Sequence, residues 1–265
     1  MPTPTLHDLG DPTARPRAVF INRAGPDNVN GLFVLGRLAA YLKSLADGGQ
    51  AQGRLAQRVL IAPGVTSVGE LPESARQAYY RIELDHAAPG MDALPQVCLY
   101  RPNDDERASA CLFGLTAVNE LDAPTADDHH GWDTENTAGE RFLLVAGRSG
   151  ELQPACCERV FRSLVAFMKH TGILAEVRLA EEEDDLHYFA AEQIFSLQSE
   201  SAGLFVFRQE PGQWLRAGDV LGYLYDVADG ALLKEVKSPV NGLLAAVRRA
   251  PLVVEGTVLA FVHRS

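Results

Sequence analysis

The feature that most constrains the fold is an alternation of short β-rich runs with helical segments in the first two thirds of the chain. RAVFIN at residues 17–22 precedes the turn-forming AGPDNVNG, after which apolar residues recur at helical spacing from Leu32 to Leu42. A second segment with this spacing runs from Pro154 to Gly172. Further β-rich runs occupy residues 58–64, 81–85, 95–100 and 141–147. The alternation predicts a layered α/β architecture over residues 1–180.

The remainder of the chain has a different pattern. Residues 199–263 consist of short β-rich segments separated by turns that contain glycine and proline, which is typical of a small all-β sandwich or barrel. The acidic run AEEEDD at residues 180–185 is typical of a solvated linker. We therefore predict one domain over residues 1–180 and a second over residues 181–265.

Charge and hydropathy exclude two classes of partner. The chain has 24 Lys and Arg against 35 Asp and Glu, a net charge of -11, and shows no basic stripe for phosphate contacts. Nucleic acid is therefore not expected as a partner. No apolar run approaches the roughly 20 residues of a membrane helix, and the N-terminus lacks the basic and apolar regions of a signal peptide. These features predict a cytoplasmic protein with no membrane partner.

The C-terminal sequence AGLFVFRQEPGQWLRAGDVLGYLYDVADGALLKEVKSPVNGLL carries a resemblance to a known family. It resembles the β-domain of the succinylglutamate desuccinylase and aspartoacylase family of zinc carboxypeptidase-like, M14-type hydrolases. It also resembles the barrel-sandwich fold of biotinyl and lipoyl carriers, in which a lysine at a hairpin tip is modified. Lys237 directly precedes Ser238, whereas the tip is predicted at residues 228–230, so we interpret Lys237 as an exposed strand residue.

The family's first zinc motif, HGDE followed by two residues and Gly, falls on Gly25 to Gly31, which read GPDNVNG. In the family the His and Glu of this motif bind zinc. Gly25 and Asn28 stand at those two positions, and only Asp27 and Gly31 match the motif. Glycine has no donor, and a neutral amide oxygen is a poor substitute for a carboxylate as a zinc ligand. The resemblance implies a zinc-carboxypeptidase-like α/β/α domain with a mixed sheet, followed by a barrel-sandwich-like β-domain.

The other parts of the family's mechanism are also altered. The third zinc ligand is a histidine in a DLH motif, and an ungapped match to RIELDHAAPG places Glu83 and Asp85 at its Asp and His. A shift of one residue would make His86 the ligand, but adjacent strand residues point to opposite faces. Ala146 stands where the catalytic glutamate is expected, and the arginine-rich segment that holds the substrate carboxylate is reduced to Arg76.

The residues therefore predict a non-catalytic pseudoenzyme without zinc. It would keep a vestigial pocket at Asp27, Asn28, Glu83 and Ala146, and it would act as a binding or partner subunit for another protein, a second copy of itself or a small-molecule ligand.

The alternative is an active zinc amidohydrolase that acts on an N-acyl amino acid or a similar small amide. Its ligands would be non-standard, drawn from Asp27, Asp85, His86 or the pair His129 and His130. Glu83 would take the proton of the zinc-bound water. His129 and His130 follow two aspartates in a polar loop. We interpret this group as exposed loop residues rather than as a metal site.

Overall fold

The computed structural model describes residues 6–46, 53–66, 68–122, 139–178 and 185–265. The chain divides into two compact units. Unit 1 comprises Met1–His86, Pro95–Ala146 and Gly150–Tyr188, and unit 2 comprises Ala87–Leu94, Gly147–Ser149 and Phe189–Ser265. Unit 2 thus takes in two short segments from the first part of the chain. The predicted boundary at residue 180 lies among residues 179–184, outside the described residues.

The elements that lie wholly or mainly in unit 1 alternate between strand and helix in the predicted manner. In chain order they are β1 (His7–Leu9), β2 (Ala18–Asn22), α1 (Val29–Ala46), β3 (Arg54–Leu55), β4 (Val59–Ala62), α2 (Glu73–Arg76), β5 (Tyr80–Asp85), β6 (Met91–Tyr100), α3 (Asp104–Ala110), β7 (Ala117–Leu121), β8 (Glu140–Gly147), α4 (Pro154–His170), β9 (Leu174–Ala175) and β10 (His187–Phe189). No helix among the described residues is long and apolar enough to cross a membrane.

The main sheet of unit 1 is mixed, as predicted. Its strand order is β1-β4-β2-β5-β8-β6-β7-β10, and the short strands β3 and β9 pair separately. Strands β4, β2, β5 and β8 are mutually parallel, with Phe20 opposite both Ile61 and Ile82, and β1 is antiparallel to β4. Every residue of β2 and β4 is buried, because a parallel sheet of this kind is covered on both faces.

The two faces of the sheet have different coverings. On one face, α1 and α4 pack their apolar stripes against the sheet, through Leu35, Leu38 and Leu42 of α1 and Val160, Leu164 and Phe167 of α4. On the other face, a smaller cluster includes Val19, Ile21, Leu60 and, from α2, Ala75. Helical spacing in the sequence located both long helices, and the result is the predicted α/β/α layering.

Unit 2 is all-β apart from one turn of 3-10 helix. Its strands are β11 (Ile194–Gln198), β12 (Gly203–Phe207), β13 (Trp214–Leu215), β14 (Val220–Tyr225), β15 (Leu232–Lys237), β16 (Gly242–Arg248), β17 (Leu252–Val253) and β18 (Val258–Arg264). One sheet has the order β15-β14-β12-β17, and in the other β16 pairs with β13 and β18, and β18 pairs with β11. Met91–Ala93, at the start of β6, pair antiparallel with β16. Phe205, Leu224 and Val262 are among the residues of the shared core.

Lys237 is the last residue of β15. Its side chain is half exposed and pairs with Glu235 at 2.9 Å. The turn between β14 and β15 includes the predicted hairpin tip at residues 228–230. Lys237 therefore lies at the strand end remote from this turn, which is not the position of a carrier lysine.

Candidate functional site

A small cavity in unit 1 lies at the carboxyl ends of β5 and β8, beside the start of α1. The cavity volume is about 10 Å³, which is room for about one water molecule. It is lined by Asn28, Asn30, Gly31, Val34, Leu84, Asp85, Leu144, Ala146 and Val160. Three positions that the sequence placed in different motifs, Asn28, Asp85 and Ala146, therefore meet at one cavity. The carboxyl ends of parallel strands are the usual location of ligand sites in α/β proteins.

The loop between β2 and α1 is held by its own side chains. Asn22 Nδ2 donates to the carbonyl oxygen of Gly25 at 2.6 Å, and Gly25 has a φ of 58°, in the left-handed region that glycine tolerates best. Asn28 directly precedes α1, and its Oδ1 accepts the N–H of Gly31 at 2.9 Å. This is the hydrogen bond of a helix N-cap, a position at which asparagine is strongly favoured. The amide oxygen of Asn28 is therefore already used.

Two polar atoms of this loop are buried without a hydrogen-bond partner in the described part of the chain: Asn22 Oδ1, an acceptor, and Asn28 Nδ2, a donor. Both would lie 2.4 Å from a Cβ atom added to Gly31. Only glycine therefore fits at this position without displacement of the two asparagines. The remaining polar atom of Asn28 is an N–H donor, which cannot bind a metal ion.

A buried arginine and two carboxylates lie beside the cavity residue Asp85. Arg23 is 6% exposed, and its Nε is 4.0 Å from Glu83 Oε2 and 3.8 Å from Asp85 Oδ2. Burial raises the pKa of Glu83 to about 7, while Arg23 opposes this shift and the neighbouring Asp85 adds to it. Glu83 Oε2 has no hydrogen-bond partner within the described ranges. This cluster places a fixed positive charge next to both carboxylates.

The remaining sequence-predicted residues lie outside the cavity lining. Asp27 is exposed, and its carbonyl oxygen accepts the N–H of Gly150 at 2.8 Å. His86 is half-buried, and its backbone N–H donates to Asp85 Oδ1 at 2.8 Å. Arg76 is an exposed residue of α2 that pairs with Glu73 at 2.7 Å. His129 and His130 lie outside the described residues.

The side chains at this cavity, within the described part of the chain, do not fit a zinc ion. Among the residues that the structure describes, no group of three or more His, Cys, Asp and Glu side chains is placed to hold a metal. Asn28 uses its amide oxygen in the helix cap, and Gly25 has no side chain. Asp85 lies against the Arg23 guanidinium. A catalytic zinc needs three protein ligands, and among the described residues Asp85 is the one His, Cys, Asp or Glu that lines the cavity.

Sequence reasoning missed Asn22 and Arg23, although a signal for both was present. Asn22 is the last residue of β2, whose residues are all buried, and Arg23 directly follows it. A polar and a charged residue at the carboxyl end of a fully buried strand are candidates for the functional edge of a parallel sheet. Asn30 was missed because it lies within the first turn of α1, where its Oδ1 accepts the N–H of Gln153 at 2.8 Å.

Solved structures similar to this chain share its fold. The product-bound ectoine utilization protein EutE (DoeB) from Ruegeria pomeroyi has a TM-score of 0.72 and 17% sequence identity, covering 95% of this chain and 86% of that one. A succinylglutamate desuccinylase/aspartoacylase from Rhodobacter sphaeroides has a TM-score of 0.71 and 14% identity, with 95% and 86% covered. A family protein described with the same two names, from Shewanella amazonensis, has a TM-score of 0.69 and 13% identity, with 97% and 93% covered.

The sequence matches no protein-family model and no curated protein. At these identities the structural similarity establishes the fold. The fold that the C-terminal and N-terminal motifs implied is thereby confirmed over almost the whole chain.

Proposed function

Because this chain has the fold of the succinylglutamate desuccinylase/aspartoacylase proteins, we propose that it is a non-catalytic relative of these hydrolases. It acts as a cytoplasmic pseudoenzyme that binds a protein partner, a second copy of itself or a small-molecule ligand. Fold alone does not determine activity, so the proposal depends on the residues at the cavity.

The size of the cavity carries the proposal. Pockets that bind drug-sized ligands usually have volumes of about 300 to 1,000 Å³. Here the cavity volume is about 10 Å³, which is too small for an N-acyl amino acid. Val34, Leu144 and Val160 fill the cavity walls with apolar side chains. This cavity, which three of the expected motif positions line, therefore has no room for such a substrate.

Charge at the site supports the same conclusion. The Arg23 guanidinium is permanently charged and lies within 4.0 Å of both Glu83 and Asp85. Repulsion between this buried cation and a divalent ion at the same carboxylates is strong, because few water molecules screen it. Arg23 thus already provides a positive charge at the place where a metal ion would meet these carboxylates.

The position expected for the general base supports a non-catalytic role as well. Ala146 lines the cavity and is 5% exposed. A methyl group cannot accept a proton from water. No carboxylate other than Asp85 lines the cavity in the described residues, and that aspartate is already near Arg23 and the backbone of His86.

One observation favours the alternative, a zinc amidohydrolase with non-standard ligands. The pKa of Glu83 is raised to about 7, the range in which a carboxylate works best as a general base at neutral pH. In this alternative the metal ligands would be drawn from Asp27, Asp85, His86 or the pair His129 and His130. Glu83 would accept a proton from the attacking water.

Elemental analysis of protein purified without a histidine tag or chelator tests the proposal. We expect no bound zinc, even after incubation with zinc and dialysis, and no hydrolysis of N-acetyl or N-succinyl amino acids. About one zinc per chain that is lost in His86→Ala and retained in His170→Ala would overturn the proposal. His170 is a suitable control because it lies at the end of α4 and contacts the carbonyl oxygen of Leu112.

A further inference from the structure

We propose that unit 1 has a second site, which binds the phosphate or carboxylate group of a small molecule. It lies at the amino ends of the parallel strands, opposite the cavity at their carboxyl ends. A pocket with a volume of about 320 Å³ lies there. We call it the arginine pocket, because Arg15, Arg17 and Arg58 line it together with Gln57 and Tyr79. The site is independent of the cavity at Asn28 and of the function proposed for it.

The arginine pocket is built by three neighbouring parallel strands. Arg15 and Arg17 precede β2, Arg58 precedes β4, and Tyr79 precedes β5, so all four side chains come from the amino ends of adjacent strands. The N–H of Arg17 donates to the carbonyl oxygen of Arg58 at 2.8 Å, and the N–H of Tyr80 donates to that of Arg17 at 2.9 Å. A sheet therefore fixes the backbone of the pocket, which is the rigid support that a binding site needs.

One of the three arginines is neutralised within the chain. Arg58 donates from Nε and from one terminal nitrogen to the carboxylate of Asp8, at 2.8 and 2.6 Å. Its other terminal nitrogen donates to the carbonyl oxygens of Pro12 and Ala14. The Asp8 interaction is a bidentate pair that orders the N-terminal segment. Arg58 therefore shapes the arginine pocket without adding net charge.

Arg15 and Arg17 differ from Arg58, because neither has a carboxylate within ion-pair distance in the described ranges. Arg15 is exposed and donates from Nε to the carbonyl oxygen of Gln77 at 2.6 Å. Arg17 lies over the rings of Tyr79 and Tyr80, at 4.3 and 4.8 Å from their centroids. Its Nε is buried with no hydrogen-bond partner in the same ranges. The arginine pocket thus has two guanidinium groups that form no ion pair with a carboxylate in the described ranges.

A buried carboxylate, that of Glu140, lies next to Tyr79, and its Oε2 has no hydrogen-bond partner in the described ranges. Glu140 is buried, and its Oε1 accepts the Tyr79 hydroxyl at 2.8 Å. This hydrogen bond is the largest cause of the raised pKa of Tyr79. In a chain with a net charge of -11, two arginines at one pocket that form no ion pair with a carboxylate in the described ranges are a local exception to the overall charge.

The chemistry of the lining selects the ligand class. A guanidinium presents a planar fork of N–H donors that matches phosphate and carboxylate oxygens. Arg17 lies over one face of Tyr79 and of Tyr80, so those faces are not free to stack on a nucleobase. The acidic chain as a whole disfavours a polyanion. A small molecule with one or two oxyanion groups fits these constraints.

Isothermal titration calorimetry of the full chain at low salt tests the site, with inorganic phosphate and succinate as separate probes. We expect millimolar or tighter binding of at least one probe. The tighter probe identifies whether phosphate or carboxylate is the preferred group. Arg15→Gln should weaken binding about tenfold, since it removes a charged hydrogen-bond donor. Arg17→Lys, which keeps the charge but loses the fork, should also weaken binding.

Arg216→Gln is the matched control, because it removes one exposed arginine from unit 2. It should bind as the unchanged chain does. Arg15 is exposed, so its replacement leaves the core intact, and thermal melts of each variant check this directly. Equal affinity in Arg15→Gln, Arg17→Lys and the unchanged chain would overturn the proposal, as would the absence of binding to both probes at millimolar concentration.

Discussion

Gly31 lies where the first turn of α1 approaches two buried asparagine side chains. A Cβ atom at this position would be 2.4 Å from both Asn22 Oδ1 and Asn28 Nδ2. These side chains hold the loop through hydrogen bonds to Gly25 and to Gly31 itself. A methyl group would therefore displace the helix cap together with the loop.

We predict that Gly31→Ala lowers the free energy of unfolding by about 1 to 3 kcal/mol, the usual cost of overpacking. Gly36, in the same helix, has open space around its Cβ position. Gly36→Ala should instead stabilise the protein by up to about 1 kcal/mol, because alanine is the better helix former. Urea unfolding of both variants measures the difference, and equal effects would show that Gly31 is not sterically restricted.

Glu83 provides a second prediction at the scale of one residue. Its pKa is about 7 in the folded chain, against an ordinary value of 4.5 for a glutamate carboxyl. The folded state therefore binds the proton more tightly than the unfolded state does. Stability decreases as the pH rises from about 4.5 to about 7, since burial of the ionised carboxylate becomes necessary.

We predict that Glu83→Gln becomes more stable relative to the unchanged chain as pH rises through this window, by up to about 3 kcal/mol. Thermal or urea unfolding at several pH values between 4 and about 8 measures the trend. Glu255→Gln, at an exposed turn of unit 2, should show no such trend. A pH-independent difference for Glu83→Gln would contradict a buried, partly protonated carboxyl group.

At the scale of elements, α4 is held to the sheet by an aromatic cluster. The ring of Phe167 stacks on Phe113 with centroids 4.1 Å apart and an interplanar angle of 13°. It also makes edge contacts with Tyr80 at 5.0 Å and Phe142 at 5.4 Å. Phe167 is fully buried, so its ring joins α4 to β5 and β8 and to the turn that contains Phe113.

We predict that Phe167→Ala costs about 3 to 5 kcal/mol of unfolding free energy, the sum of lost burial and an unfilled cavity. Phe33 of α1 is 47% exposed, so Phe33→Ala should cost less than about 1 kcal/mol. Both are Phe-to-Ala changes on long helices, and denaturant unfolding compares them directly. Similar costs for the two variants would show that the cluster does not anchor α4.

At the scale of the whole molecule, unit 2 is discontinuous in the chain. Its strand β16 pairs with Met91–Ala93, and a terminal nitrogen of Arg249 lies 2.8 Å from Asp92. A further ion pair joins Arg249 to Glu210. The early segment thus supplies both a strand partner and a buried counter-ion to the C-terminal residues.

We predict that a fragment of residues 189–265 melts without the cooperativity of the intact chain. It leaves an edge of β16 unpaired and removes the carboxylate of Asp92 from Arg249. Circular dichroism during heating measures cooperativity. A second fragment that carries residues 87–94 through a flexible linker should recover part of it. A sharp, reversible melt of the first fragment would show that the early segment is dispensable.

The sequence by itself determined the local elements and the fold class. Helical spacing predicted α1 and α4, and RAVFIN, RVLIAPG and RIELD contain β2, β4 and most of β5. Apolar periodicity is a property of neighbouring residues, so it can be read without a structure. The similar solved structures also confirm the fold implied by the family resemblance. The sequence could imply this fold because turn and glycine spacing in the motifs is a local signal.

Only the tertiary structure decided which of these residues meet. Asn28, Asp85 and Ala146 line one cavity, Arg23 lies beside Glu83 and Asp85, and Arg76 lies elsewhere on α2. Strand order, side-chain direction and the closing of a cavity by apolar side chains depend on contacts between residues far apart in the chain. For the same reason, the arginine pocket and the two early segments of unit 2 could not be inferred from the sequence: each is defined by non-local strand pairing.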